Sequence, residues 1–422
     1  MSESDAVIST TIEAPVLIET AGGTIPRAVS SRLLTHAGIT IPNFFAMHVT
    51  GACFPLVAGI LLYGWRAAGS IAIVLGTSSL AIAVWRRIGA RGGQMRYSHS
   101  LWLALLLGLT LPPHLLTDTF HIRADHTIAT WPLLPAAGLI IVPLIWVFGG
   151  LGSGRLHPVL LANLVLVMLF GGLLEPHYTL QRNRIFVGDV MDTGKADPDE
   201  PIRGRWISAP PIAGRDALHI PDLASQRLID YTSPWHRPQR QFMSLETLMR
   251  DAMPPLEDLI IGGHPGPIGT SCEIAVIIGG LFMLYRGVID YRIPLLMILA
   301  TYAAILVLPV PISIDSASGE LSRHWHWLAI RRPGVGAALA VTFANYEIMS
   351  APLLFTAFFL ATSPAIRPLA RRGRAVYAIF LGFLSAVAQL YFSVSVGPYL
   401  ALLVGGILAA GLDRFFKPRT LV

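Results

Sequence analysis

Apolar residues gather along this chain in blocks of membrane length, separated by short polar or arginine-rich links. The first block runs from Phe45 to Trp65, and GSIAIVLGTSSLAIAVW follows it after Arg66. LWLALLLGLTLPP, WPLLPAAGLIIVPLIWVFGG and VLLANLVLVMLFGGLL make the next three. From Glu175 the chain turns polar and proline-rich, and apolar blocks return near Ile260. They are IGTSCEIAVIIGGLFMLYRG, IPLLMILATYAAILVLPV, a long interrupted run from Pro333 to Thr362, AVYAIFLGFLSAVAQLYF and PYLALLVGGILAAGL. A helix crosses a bilayer with about 20 such residues. The pattern predicts an all-α polytopic membrane protein with about ten transmembrane helices, in two inverted repeats of five.

Several blocks are short or interrupted by Gly and Pro, which predicts broken helices. The breaks fall at 149–158 with 110–113 in the first half, and at 262–270 with 346–352 in the second. Irregular backbone at membrane depth must be buried in protein or line a cavity, so sites are expected at the breaks. The predicted organisation is an N-terminal segment 1–43, a first repeat 44–174, a loop region 175–259, a second repeat 260–417 and a tail 418–422. The loop TDTFHIRADHTIAT, between the third and fourth blocks, is read as an external loop.

Charge then sets the orientation. RRIGARGGQMR and SPAIRPLARRGR each carry four Arg and no acid, and the chain ends on DRFFKPR. The positive-inside rule places all three in the cytoplasm, with both termini, and 175–259 outside; Arg331 and Arg332 oppose the rule. Only 13% of residues are charged and 53% are hydrophobic, too little charge to cover a soluble surface. The net charge of +6 reads as topology and not as nucleic-acid binding. Cys53 and Cys272 are too few for a disulfide framework. The first forty or so residues do not look like a cleaved signal.

Few residues carry candidate chemistry. GGHPGPIGTSCEIA opens into an apolar helix, where Thr270 or Ser271 could cap exposed N–H groups that favour an anion. A tight re-entry turn without a ligand explains the same residues. Glu273 and Glu347, the latter beside Asn345, are intramembrane carboxylates. They read as an ion or proton path, or as neutralised groups near the interface. Asp290 and Asp413 are flanked by Arg at block ends, which suggests interfacial ion pairs. Histidines 99, 114, 121, 126, 157, 177, 324 and 326 lie in loops or at block ends. His324 and His326 flank Trp325 and Trp327 as an interfacial aromatic group. No zinc pattern, dinucleotide fingerprint, P-loop, CxxC or nucleophile elbow is present, and neither catalytic residues nor metal ligands are picked out.

Three segments, in order, resemble the RnfD/NqrB family of membrane subunits from ion-translocating electron-transfer complexes. GGLGSGRLHPVLLAN is similar to that family's glycine-rich turn. GGHPGPIGTSCEIAVIIGGLFMLYRGVIDYRIP is similar to its G-x-I-G-E-T-S-x-L-A segment and the span after it. AFFLATSPAIRPLARRGRAVYAIFLG is similar to its AFF-x-A-T-D-P segment. The resemblance covers roughly 45–417, with the modest length nearer RnfD. It implies FMN esterified to a Thr in an S-G-A-T motif, which corresponds here to Ser244-Leu245-Glu246-Thr247. It also implies a second, non-covalent riboflavin, for which no pocket is assigned. Gly269, Thr270 and Ser271 stand where the family reads G-E-T, Ser363 replaces an Asp and His157 an Asn. Glu246 beside the acceptor would repel a flavin phosphate.

The resemblance implies a bacterial inner-membrane subunit, not catalytic alone, that relays electrons through flavin and is coupled to Na⁺ or H⁺ movement. Its partners would be other membrane subunits, a flavin- or iron–sulfur-bearing subunit and the lipid bilayer. The altered motifs keep a second reading open, a structural or assembly subunit without covalent flavin. The inverted-repeat layout keeps a third, a solute channel or transporter.

Overall fold

Proline and glycine positions decide where this chain's helices stop. The structure, a computed structural model, describes residues 41–88, 97–117, 119–123, 126–148, 156–174, 256–262, 266–310, 327, 337–364, 366–392 and 396–416. Ser244, Thr247 and nearly all of 175–259 lie outside the described residues.

Helix α1 (Ile41–Tyr63) contains Pro55, and α2 (Trp65–Ile88) follows after one residue. That residue is Gly64, at φ +64°, a conformation that glycine adopts without a Cβ penalty. Its N–H donates to the Ile60 carbonyl at 2.8 Å and closes α1. Helix α3 (Tyr97–Leu109) ends ahead of Pro112 and Pro113, and a short 3₁₀ turn (Pro113–Leu116) continues the chain. Then come α4 (Leu133–Phe148) and α5 (Pro158–Leu174).

The second half holds α6 (Leu256–Ile261), α7 (Glu273–Tyr285), α8 (Arg292–Val307) and α9 (Ala337–Ser350). A break at Ala351 and Pro352 leads into α10 (Leu353–Phe355), which runs on as a π turn (Thr356–Leu360). Last are α11 (Arg371–Tyr391) and α12 (Gly397–Phe415). Helix α6 begins ahead of the boundary expected at 260.

The molecule is mostly helical, with a correction to the all-α expectation. TDTFHIRADHTIAT holds an antiparallel hairpin, β1 (Thr119–Arg123) with β2 (His126–Ala129), with Thr119 opposite Ala129 and Phe120 opposite Ile128. Thr, Phe and Ile favour extended backbone. Thr130 Oγ donates to the Leu115 carbonyl at 3.0 Å and fixes the hairpin base to the 3₁₀ turn.

Four helices are long and apolar enough to cross a membrane alone: Pro42–Tyr63, Trp65–Arg87, Arg371–Tyr391 and Gly397–Phe415. Ala340–Ser350 and Leu353–Leu360, bent by 65° at their break, make a fifth if they form one span. Helices α3, α4, α5, α7 and α8 are apolar but shorter. Leu80, Leu139, Met168, Leu169, Phe383 and Ile407 are exposed on these helices, an apolar surface suited to lipid.

Small residues bring the helices together, as packing in lipid requires. Pro55 cannot donate to the carbonyl four residues earlier, at Gly51. That carbonyl faces Gly279 on α7 so closely that a Cβ there would collide with it. In turn a Cβ on Gly51 would lie 2.7 Å from Met283 Cγ. Gly382 on α11 sits against α8, where Thr301 Oγ shares its proton between the Met297 carbonyl at 2.9 Å and the Gly382 carbonyl at 3.0 Å. Trp102, Tyr377, Phe45, Phe343, Phe355 and Phe359 are fully buried among these contacts.

Candidate functional site

The breaks of the two halves meet. Helix α3 stops at Leu109, so its last carbonyls lack helical partners. The non-helical segment 266–272 supplies them: Gly269 N–H donates to the Leu109 carbonyl at 2.8 Å, and Ile268 N–H to the Leu111 carbonyl at 3.1 Å. This close approach explains two glycines. A Cβ on Gly269 would lie 2.6 Å from Leu109 Cβ, and one on Gly59 of α1 would lie 2.5 Å from the Ile268 carbonyl oxygen. Gly262, at φ +102°, turns the chain into the segment. Asn163 of α5 donates to Thr110 Oγ at 3.0 Å, and Thr110 Oγ donates to the Leu107 carbonyl at 2.8 Å. Thus α1, α3, α5 and the segment before α7 share one junction.

The polar groups of the junction are already engaged. Ser271 Oγ donates to the Pro267 carbonyl at 2.7 Å and accepts from Tyr63 OH at 2.5 Å. Thr270 N–H and, at 3.5 Å, Thr270 Oγ both reach the same Pro267 carbonyl. A phosphate at 268–271 would have to displace these bonds, and it would face Glu273 one turn on. Gly269, Thr270 and Ser271 are brought together as a re-entry turn whose donors do not fit an anion.

Glu273 begins α7 and is buried, as is Tyr399 at the start of α12. Among the described residues, neither Glu273 oxygen nor Tyr399 OH has a hydrogen-bond partner, and the two groups lie within electrostatic reach. Glu347 is fully buried on α9, one turn ahead of the break at Pro352, and Asn345 is half-buried two residues earlier. The π turn beyond that break packs Phe358 and Phe359 on Gly280 and Gly279 of α7. Such turns recur at functional sites.

A second polar cluster joins α1, α3 and the start of α5. His48, His99 and His157 are buried there, although the histidines read from the sequence as loop or block-end residues. The Phe45 ring lies 4.6 Å from His99 and 5.6 Å from Trp102, and His48 lies 5.0 Å from Trp102. His99 is within electrostatic reach of both His48 and His157. Phe45 with His48, and His99 with Trp102, stand three apart on their helices, and that spacing shares a face. Among the described residues, no three His, Cys, Asp or Glu side chains are placed to hold a metal ion. Cys53 and Cys272 are half-buried free thiols.

The opposite end of α7 carries an ionic lock. Arg374 donates to Asp290 Oδ2 at 2.8 Å, to the Pro368 carbonyl at 2.9 Å and to the Leu369 carbonyl at 3.1 Å. Asp290 Oδ1 accepts from Arg292 N–H at 3.2 Å, and Asp413 accepts from Leu369 N–H at 2.8 Å. Partial burial works to raise the Asp290 carboxyl. The hydrogen bonds from Arg374 and Arg292 and their charges outweigh it, so its pKa is lowered.

Apolar helices with lipid-suited faces, packed through glycine and joined by broken segments, define a multi-pass membrane protein. The chain belongs to the NQR2, RnfD, RnfE family, whose sequence pattern it matches over residues 28–422. It is 24% identical over 401 residues to the RnfD subunit of the ion-translocating oxidoreductase complex of Halorhodospira halophila, covering 91% of this chain and 92% of that protein. The subunit of the same name from Pseudomonas aeruginosa is 24% identical over 387 residues, 88% of this chain and 89% of that one. The corresponding subunit of the Na(+)-translocating ferredoxin:NAD(+) oxidoreductase complex of Acetobacterium woodii is 28% identical over 171 residues, 40% of this chain and 43% of that one.

Proposed function

We propose that this chain is the RnfD-type membrane subunit of a redox-driven, ion-translocating complex. In this reading it relays electrons through flavin and is coupled to Na⁺ or H⁺ movement. One observation carries the reading: relatives named as RnfD subunits of such complexes align over about nine-tenths of both chains. The rest of the proposal is ten crossings in two repeats of five, both termini cytoplasmic, in a bacterial inner membrane. Membrane and flavin- or iron–sulfur-bearing subunits would be its partners, since no donor or acceptor site stands out in the chain.

Thr247 is the proposed attachment point for FMN, with Ser244 at the family's spacing. A bound flavin supplies the electron chemistry, and the protein supplies orientation and electrostatics. No pocket is assigned to riboflavin. A second reading, a structural subunit without covalent flavin, is favoured by Leu245 and Glu246 inside the motif and by the engaged donors at 268–271. Complex purified gently from native membranes separates the two. The redox reading expects flavin absorption, partner subunits and an FMN mass increment on the Thr247 peptide that Thr247→Ala removes. Partner subunits with no flavin on this chain would sink it in favour of the structural reading.

A further inference from the structure

Glu273 is 1% exposed, and neither carboxylate oxygen has a hydrogen-bond partner among the described residues. A bare carboxylate is strongly disfavoured in such surroundings, so the group needs a cation or a proton. Its neighbours offer little to a cation. Tyr399 on α12, 5% exposed, brings a phenol whose oxygen is equally unpartnered. Cys272 brings a thiol, while the Ser271 hydroxyl is held by Pro267 and Tyr63. Helix α10 contributes buried Leu353, Leu354 and Phe355. In the π turn the Thr356 hydroxyl donates to the Pro352 carbonyl at 2.7 Å. Helix α6 adds the acidic positions Glu257 and Asp258. Arg286 follows the far end of α7, and a helix of 13 residues spans about 20 Å. No His, Cys, Asp or Glu cluster among the described residues is placed for a metal.

We propose that Glu273, facing Tyr399, is a proton-binding site inside the membrane, loaded from the side where segments 110–113 and 262–272 meet. In the loading step one proton passes from water on that side to a Glu273 oxygen and leaves a neutral acid. In unloading the same proton departs. The Tyr399 phenol keeps its own proton throughout and positions the carboxyl by a hydrogen bond. The site deepens the proposed function, since it rests on the chain being a subunit of an ion-moving complex.

Dicyclohexylcarbodiimide tests this, because it modifies protonated carboxyls in apolar surroundings. The full-length chain, purified from native membranes into lipid vesicles, should gain the adduct on the peptide containing Glu273. Its labelling rate should fall about tenfold for each pH unit above the carboxyl's midpoint, as the protonated fraction does. Glu273→Gln should remove the adduct, and Tyr399→Phe should shift the midpoint without abolishing labelling. Added Na⁺ at constant pH should leave the rate unchanged. Absence of the Glu273 adduct in folded wild-type protein, a rate independent of pH, or protection by Na⁺ would each overturn the proposal. If Glu273→Gln fails to fold, the wild-type pH profile decides. Labelling needs no electron donor, so flavin-free protein that labels as expected loses only the redox reading, and flavin-loaded protein that does not label loses only this site.

Discussion

At Asp290 one carboxylate ties the turn after α7 to the start of α11 through Arg374. Asp290→Asn should lower stability by about 1–3 kcal/mol, the range for a hydrogen bond to a charged group. Thermal unfolding in detergent measures it. The folded pKa lies below the unfolded value of about 3.9, so the contribution is complete above that value and is lost as pH falls through the folded pKa. The wild type and the variant should therefore converge only in acid. A gap unchanged down to that range would refute the assignment. Asp290 was legible in the sequence because Arg flanks it, and Glu273 because a carboxylate inside an apolar block stands out. Tyr399 was not, since a tyrosine at the head of an apolar block reads as an interfacial anchor. The His48, His99 and His157 cluster was half legible, in pairs three apart, but His157 joins it only through the packing of α5.

Among the elements, the informative features are the ones that stop. The sequence located the breaks near 110–113, 262–270 and 346–352, because Pro and Gly mark them. It could not show that the first two satisfy each other's backbone, since that pairing depends on how the two halves face. The hairpin at 119–129 escaped for another reason: a short polar stretch between apolar blocks reads as a loop at the resolution of a span. Backbone contact at the junction makes its glycines unforgiving. Gly59→Leu must push into the Ile268 carbonyl, a backbone atom with no rotamer to yield, and should cost about 1–3 kcal/mol or more. Gly76→Ala on α2 meets nothing within 4 Å and should be neutral or stabilising by up to about 1 kcal/mol. Melting temperatures of the two variants in the same detergent would test the contrast. Equal losses would mean that the junction is looser than its contacts indicate.

For the whole molecule, contacts constrain sidedness independently of charge. Tyr63 at the end of α1 and Leu109 at the end of α3 both meet the segment leading into α7. These three ends therefore share a face. The other end of α7 is tied through Asp290 to the start of α11, and Asp413 of α12 is tied to Leu369 beside it. Helix α2 leads away from Tyr63 and ends on Arg86 and Arg87, so these arginines come out on the same face as those of 371–374. The two arginine-rich links thus agree by geometry as well as by the positive-inside rule, which assigns that face to the cytoplasm. The loop region 175–259 leaves from the end of α5 and returns at α6, next to the junction face, which supports the proposed external position of Thr247. Single cysteines in a Cys53→Ser, Cys272→Ser background test this with a membrane-impermeant maleimide. Thr247→Cys should react in cells whose inner membrane is intact, whereas Ser4→Cys and Thr420→Cys should react only after permeabilisation. Labelling of Thr420→Cys from outside would break the shared-face argument, because the Asp413 contact fixes that end of α12 beside the arginines.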